Sequence, residues 1–171
     1  MSNNLLLTTV KFSFNLILTI LILSLAIFPV KIKNVKDFYI YDETEEISIS
    51  SEISCLAENI YHEAKGEDLK GKLAVAQVTI NRVNSDKFPN TICDVVYQKK
   101  STLCQFSWVC TKNKIDDAEI FEESLIIAKI ALKGERIMKL EKSLFFHNVN
   151  VNPKWKYTFK TKIGNHKFYD L

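Results

Sequence analysis

The chain has 171 residues, 47% of them apolar and 25% charged, with only four glycines and three prolines. That balance suits one compact domain with a short appendage and excludes collagen-like and low-complexity readings. The net charge of +3 is too small to point to nucleic acid, although residues 71–171 carry seventeen Lys/Arg against ten Asp/Glu. A basic half of this kind suits an anionic polymer, and equally a solvated surface.

The first predicted element is apolar. Phe12 to Val30 is a run of nineteen residues without charge, preceded by Lys11 and followed by Lys31, Lys33 and Lys36. At a rise of ~1.5 Å per residue such a helix nearly spans a ~30 Å hydrocarbon core. Residues 1–30 therefore read as a signal anchor or as a cleaved signal peptide, for which Ser24-Leu25-Ala26 supplies small residues. Both readings export the remainder to the periplasm or cell envelope, attached to the inner membrane if uncleaved. The lysines after the run pull the other way by the positive-inside rule. Residues 31–52, centred on Asp42-Glu43-Thr44-Glu45-Glu46, read as an acidic linker, and residues 53–171 as the folded domain.

Cys55, Cys93, Cys104 and Cys110 all fall in that domain. An even set in an exported protein suggests disulfides, with three complete pairings open. No Cys-x-x-Cys spacing supports zinc.

Ile53 to Ala64 reads as a helix with Ile53, Leu56, Ala57, Ile60 and Ala64 on one face, and Lys72 to Val83 as a second. Thr91 to Gln98 is helix or strand by pattern. A third helix starts at a cap on Asp116 or Asp117 and runs to Gly134. Ser143–His147, Tyr157–Thr161 and Lys167–Tyr169 are aromatic and β-favouring, with Gly164-Asn165 as a turn. Helices first and a small sheet last make an α+β domain.

Glu63 is the strongest candidate for chemistry. It stands at the end of an apolar helix just before Gly66, where partial desolvation would raise its pKa and let it donate a proton near neutrality. The plainer reading is a helix-closing residue paired with Arg82. Tyr61 and Gln77 are placed to reach the same cleft. Gln105-Phe106-Ser107-Trp108 alternates hydrogen-bonding groups with rings and Trp155 adds another ring, which suits sugar recognition as well as a core. His62-Glu63 is not a zincin motif, because Gly66 stands where the second histidine belongs. Nothing in the spacing of His62, His147 and His166 builds a metal site, so no metal or cofactor is expected. There is no phosphate loop, no nucleic-acid module and no local signature of a cysteine nucleophile.

Read in order, these segments resemble the SleB/CwlJ cell-wall hydrolase family. The resemblance rests on Leu56–Glu67, Gly71–Val78 with Asn81-Arg82-Val83, Phe88-Pro89 with Thr91-Ile92-Cys93, and Val95–Gln98. Cys104–Trp108, Phe146-His147-Asn148, Pro153-Lys154-Trp155 and Ile163–Tyr169 complete the set. It covers roughly residues 55–169. The family usually has Arg at the place of Lys65, and Asp-Gly where Thr111-Lys112-Asn113 stand here.

The resemblance implies a lysozyme-like, lytic-transglycosylase-related fold with a small C-terminal antiparallel sheet. It implies cleavage of peptidoglycan between N-acetylmuramic acid and N-acetylglucosamine, with Glu63 as the acid/base. Candidate substrate contacts are Tyr61, Gln77, Gln105, Ser107, His147 and Trp155. Asn81, Arg82, Asn165 and His166 are candidates for structural support. Ordinary glycosidases need two carboxylates, and Glu58 and Glu67 are the nearby alternatives for a second. A lytic transglycosylase manages with one. A hydrolytic muramidase with the same Glu63, a silent wall-binding module and a metal-dependent amidase are the rival readings. The sequence does not indicate the oligomeric state.

Overall fold

The computed structural model describes residues 35–171, with side-chain surroundings from Ser50 onward. The apolar segment Phe12–Val30 and the beginning of the connector lie outside the described residues. Met1–Asp42 and Glu43–Leu171 are separate units, and residues 35–42 of the first are helical. Among the described residues no helix is long and apolar enough to cross a membrane.

Helix α1 spans Val35–Ala64 and starts well before Ile53, through the acidic stretch expected to be a linker. The sequence from Val35 to Ala64 has no Gly or Pro and several glutamates, so nothing in it breaks a helix. Helix α2 spans Leu69–Val83, and the Asp68 side chain caps it by accepting from the Gly71 N–H at 2.8 Å. The ambiguous segment becomes helix α3, Ile92–Val96, capped by Thr91. Two short strands follow, β1 (Lys99–Lys100) and β2 (Leu103–Cys104), paired antiparallel. Helix α4 is Ser107–Thr111 and helix α5 is Ala118–Leu132. Of the two possible caps for α5 the fold uses Asp117, which accepts from Glu119 and Ile120 N–H at 3.1 Å. A 3₁₀ turn at Met138–Leu140 leads to strands β3 (Phe145–Asn148), β4 (Thr158–Ile163) and β5 (His166–Asp170). The sheet is antiparallel in the order β3-β5-β4, with an irregularity between Phe159 and Thr161. The fold is α+β.

Helix α2 is the centre of the fold, buried almost all round because it has a core on each side. On one side Leu73, Ala76 and Ile80 meet Leu56 and Ile60 of α1, Ile92 and Val96 of α3, and Ile127 and Ala131 of α5. On the other, Ala74 and Val78 meet Leu140, Ile163 and Phe168. Each large apolar side chain so buried contributes about 2 kcal/mol. Asn59 joins the first core by donating to Thr79 Oγ1 at 3.0 Å and accepting from Trp108 Nε1 at 3.4 Å.

The cysteines form Cys55–Cys93, tying α1 to α3, and Cys104–Cys110, tying β2 to α4. In a chain-entropy account the 38-residue separation contributes about 4 kcal/mol and the 6-residue one about 2.

Candidate active site

Glu63 is the penultimate residue of α1 and lines a cavity of about 330 Å³. Arg82 comes from the end of α2, Gln105 from the loop into α4, Ser107 from the first turn of α4, and Phe145 and Trp155 from the sheet side. Cys104, Phe106 and Phe146 complete the wall. Burial pushes the Glu63 carboxyl up from 4.5 to about 7, against the opposing pull of the Arg82 charge. The negative end of the α1 dipole acts in the same direction as burial. Among the described residues, no protein donor hydrogen-bonds the Glu63 carboxylate and it makes no direct ion pair with Arg82.

Arg82 is held as a buried cation. Its Nε donates to the Leu144 carbonyl at 2.8 Å, and its guanidinium carbon lies 5.2, 5.3 and 5.9 Å from the ring centres of Phe88, Phe106 and Phe145. Three ring faces replace part of the lost hydration. Burial lowers its pKa to about 10, with Glu63 opposing, so it remains charged at neutral pH. Its buried Nη1 has no hydrogen-bond partner among the described residues.

Of the expected substrate contacts, Gln105, Ser107 and Trp155 do line this cavity with Glu63. Tyr61 does not. It is two residues, about 200°, around the helix from Glu63 and is completely buried. Its hydroxyl donates to Asp116 and accepts the Asp116 and Asp117 N–H at 3.1 Å, fixing the entry to α5. Gln77 is also committed elsewhere: it donates to the Ile137 carbonyl at 3.2 Å and accepts the Ile137 N–H at 2.6 Å. His147 stands one layer behind the wall, its Nε2 2.9 Å from the Tyr169 hydroxyl and its ring against the edge of Trp155.

Among the expected supports, Asn81 donates to the carbonyls of Leu140 and Ser143 at 2.7 and 2.9 Å. Arg82, expected only as support, reaches the cavity itself. Asn165 donates its backbone N–H to Glu67, and His166 Nδ1 lies 3.5 Å from the same carboxylate. Glu67 fills the space beside two glycines. A Cβ on Gly71 would lie 2.7 Å from Glu67 Cβ, and one on Gly164 only 1.7 Å from Glu67 Oε2. Gly164 also has φ +55°, so the turn needs glycine twice over. Phe145 and Phe146 were not singled out as cavity residues. The signals for them were the aromatic pair in a β-favouring stretch and, for Phe146, its place in the Phe146-His147-Asn148 segment of the resemblance.

A larger hollow of about 430 Å³ lies near Met138, Lys139 and Lys160, but Asp170 there is occupied by Ser143 and Lys160. Among the described residues no group of three or more His, Cys, Asp or Glu is placed to hold a metal ion.

The Cell Wall Hydrolase family profile matches residues 66–169, beginning three residues after Glu63. The chain belongs to this family. It is 41% identical over 49 residues to the spore cortex-lytic enzyme of Bacillus subtilis, covering 29% of this chain and 16% of that protein. To the spore cortex-lytic enzyme of Oceanobacillus iheyensis it is 39% identical over 51 residues, covering 30% and 18%. The chain thus matches less than a fifth of the length of these curated relatives.

Solved structures cover more of the fold. The catalytic domain of the germination-specific lytic transglycosylase SleB from Bacillus anthracis superposes with a TM-score of 0.57 at 28% identity, over 70% of this chain and 93% of that one. The catalytic domain of the Bacillus cereus SleB protein gives 0.57 at 26%, over 71% and 91%. The fold is the lysozyme-like one of these cell wall enzymes.

Proposed function

We propose that this cell wall hydrolase cleaves peptidoglycan glycan strands between N-acetylmuramic acid and N-acetylglucosamine, as a lytic transglycosylase with Glu63 as its single acid/base. The observation that carries the reading is a carboxyl held near pH 7 inside an aromatic and amide-lined cavity whose lining includes no second carboxylate. The two alternatives are engaged elsewhere: Glu58 accepts from the Tyr97 hydroxyl, and Glu67 serves the β4–β5 turn.

Glu63 starts protonated and donates to the glycosidic oxygen as the C1–O bond breaks. The sugar's acetamido group stabilises the cationic carbon. Glu63, now ionised, is opposed by its desolvated setting and favoured by the Arg82 charge. It then accepts the proton of the muramoyl C6 hydroxyl as that oxygen closes the 1,6-anhydro ring. The acid/base is restored without a water molecule. Gln105, Ser107 and Trp155 bind and orient the strand.

The cell-envelope setting follows from the substrate. Residues 1–30 as a signal peptide or anchor, residues 31–52 as a connector and residues 53–171 as the catalytic domain are part of the same reading, as is attachment to the inner membrane if the anchor persists.

Wild-type protein incubated with purified sacculi should release anhydro-ended muropeptides, one water lighter than hydrolytic products by mass spectrometry. Glu63→Gln should lose general acid catalysis, about 10²–10⁴-fold or more. Reducing ends would replace the transglycosylase with a muramidase. Undiminished release by Glu63→Gln would overturn the assignment, and binding without release by the wild type would leave a wall-binding module. Sensitivity to chelators would favour a metal-dependent amidase.

A further inference from the structure

We propose that the substrate cleft continues past the Glu63 cavity onto the β1–β2 hairpin, where Gln98, Lys100 and Gln105 form a subsite for a sugar bearing both an acetamido group and a carboxylate. The inference rests on the glycan-cleaving reading and specifies where the strand runs.

Two cavities meet at this point. Beside the one that holds Glu63 lies another of about 180 Å³, lined by Gln98, Lys100, Leu103, Cys104 and Gln105. Cys104 and Gln105 line both, so the hollows are adjoining stretches of one groove. A polymer seated over Glu63 has this path open to it along the hairpin.

The chemistry of the second hollow differs from that of the interior. The amides of Asn59, Gln77 and Asn81 are consumed by internal hydrogen bonds. The Gln98 and Gln105 side chains make none among the described residues. Their backbones are already joined, Gln105 N–H donating to the Gln98 carbonyl at 2.8 Å, which leaves both amides for a ligand. Lys100 is exposed, makes no ion pair among the described residues, and is the one charged group lining this hollow. Two amides match an acetamido group as donor and acceptor. An ammonium with no acid beside it matches a carboxylate. A muramyl unit free of its stem peptide carries both features, the carboxylate on its lactyl ether, whereas N-acetylglucosamine carries only the first.

The site is also held in place. A two-stranded hairpin of this size is marginal alone, but Cys104–Cys110 ties β2 to α4 and fixes the wall that both cavities share. A fixed wall lowers the ordering cost of binding.

The test uses peptide-free glycan strands with free lactyl carboxylates, and the same strands with those carboxylates converted to neutral methylamides. Binding is measured in the Glu63→Gln background so that no turnover is needed. Lys100→Gln should weaken the dissociation constant for the free-acid strands about three- to fivefold and leave that for the neutral strands within error. Lys99→Gln, its neighbour outside the hollow, should change neither. Equal affinity of Lys100→Gln and its parent for the free-acid strands overturns the subsite. So does an equal loss from Lys99→Gln, which would mark general attraction to a polyanion. Failure of the wild type to cleave sacculi would instead refute the proposed function and leave the binding result to stand on its own.

Discussion

Glu63 and Glu67 are four residues apart, and each has a basic side chain near it: Arg82 for the first, His166 for the second. Both are withdrawn from solvent, Glu67 to 7% side-chain exposure. Glu67 takes an N–H from Asn165 and is wedged against Gly71 and Gly164, so its oxygens are occupied by the fold. Glu63 takes no hydrogen bond from the described residues, and its oxygens face a cavity. Burial and a neighbouring cation do not by themselves make a reactive carboxyl. What separates the two residues is whether the fold occupies the oxygens or leaves them facing a cavity.

The comparison is broken or sharpened most strongly by pH. The Glu63 pKa is raised on folding, so the folded state holds its proton where the unfolded chain has released it. The associated stability is complete below about 4.5 and is lost as pH rises through about 7. A rise of this size amounts to about 3 kcal/mol. Denaturant titrations from pH 5 to 8 should show the wild type losing stability relative to Glu63→Gln on that scale, since His62 and His166, whose pKa values burial lowers, add the same rise with pH to both proteins. The variant should therefore be the more stable protein at pH 8 while being the less active one. Parallel curves for the two proteins would remove the basis for a proton-bearing Glu63.

Removing the other carboxylate should have the opposite balance. Glu67→Ala leaves the Asn165 N–H without its acceptor and the buried His166 without its neighbouring carboxylate, at a cost of about 1–3 kcal/mol. Glu67→Gln keeps an oxygen in place and should cost less. The charge of Glu67 favours protonated His166 against the lowering effect of burial. Without it, the His166 proton resonances should titrate at lower pH than in the wild type. Both variants should retain cleavage of sacculi at temperatures where they are folded. A stable, folded Glu67→Gln protein with no activity would place the two carboxylates in one catalytic unit and end the contrast.

Glu63 was legible because helix periodicity and Gly66 fix where α1 stops, and a residue at that boundary is half-withdrawn from water. Gln105 and Ser107 were legible as polar groups alternating with rings, and Trp155 as a further ring. Tyr61 and Gln77 were misplaced for a common reason. Nearness in sequence to Glu63 or to its neighbouring helix says nothing about which side of a helix faces the cleft, and α2 is buried all round. The cysteine pairing and the cavity role of Arg82 depend on how α3, α4 and the sheet close around α2, and local patterns do not encode that. The acidic stretch before Ile53 showed its charge but not its conformation. Its charge suggested a tether, and its residues form helix from Val35 onward.

The smallest expected effect separates the supports of the two carboxylates. The wall facing Glu63 carries a covalent tie, Cys104–Cys110, whereas the turn around Glu67 depends on glycine geometry and hydrogen bonds. Replacing both Cys104 and Cys110 by Ser, with Cys55–Cys93 left intact, should cost about 2 kcal/mol by loop closure. Because Gln105 and Ser107 lie inside that loop, the loss should appear in glycan binding as a raised KM. The His166 titration, which reports the Glu67 turn, should stay as in the wild type. A change at both places would mean that the cleft wall and the β4–β5 turn move as one body. The independence of Glu63 and Glu67 would then fail for mechanical reasons, whatever their chemistry.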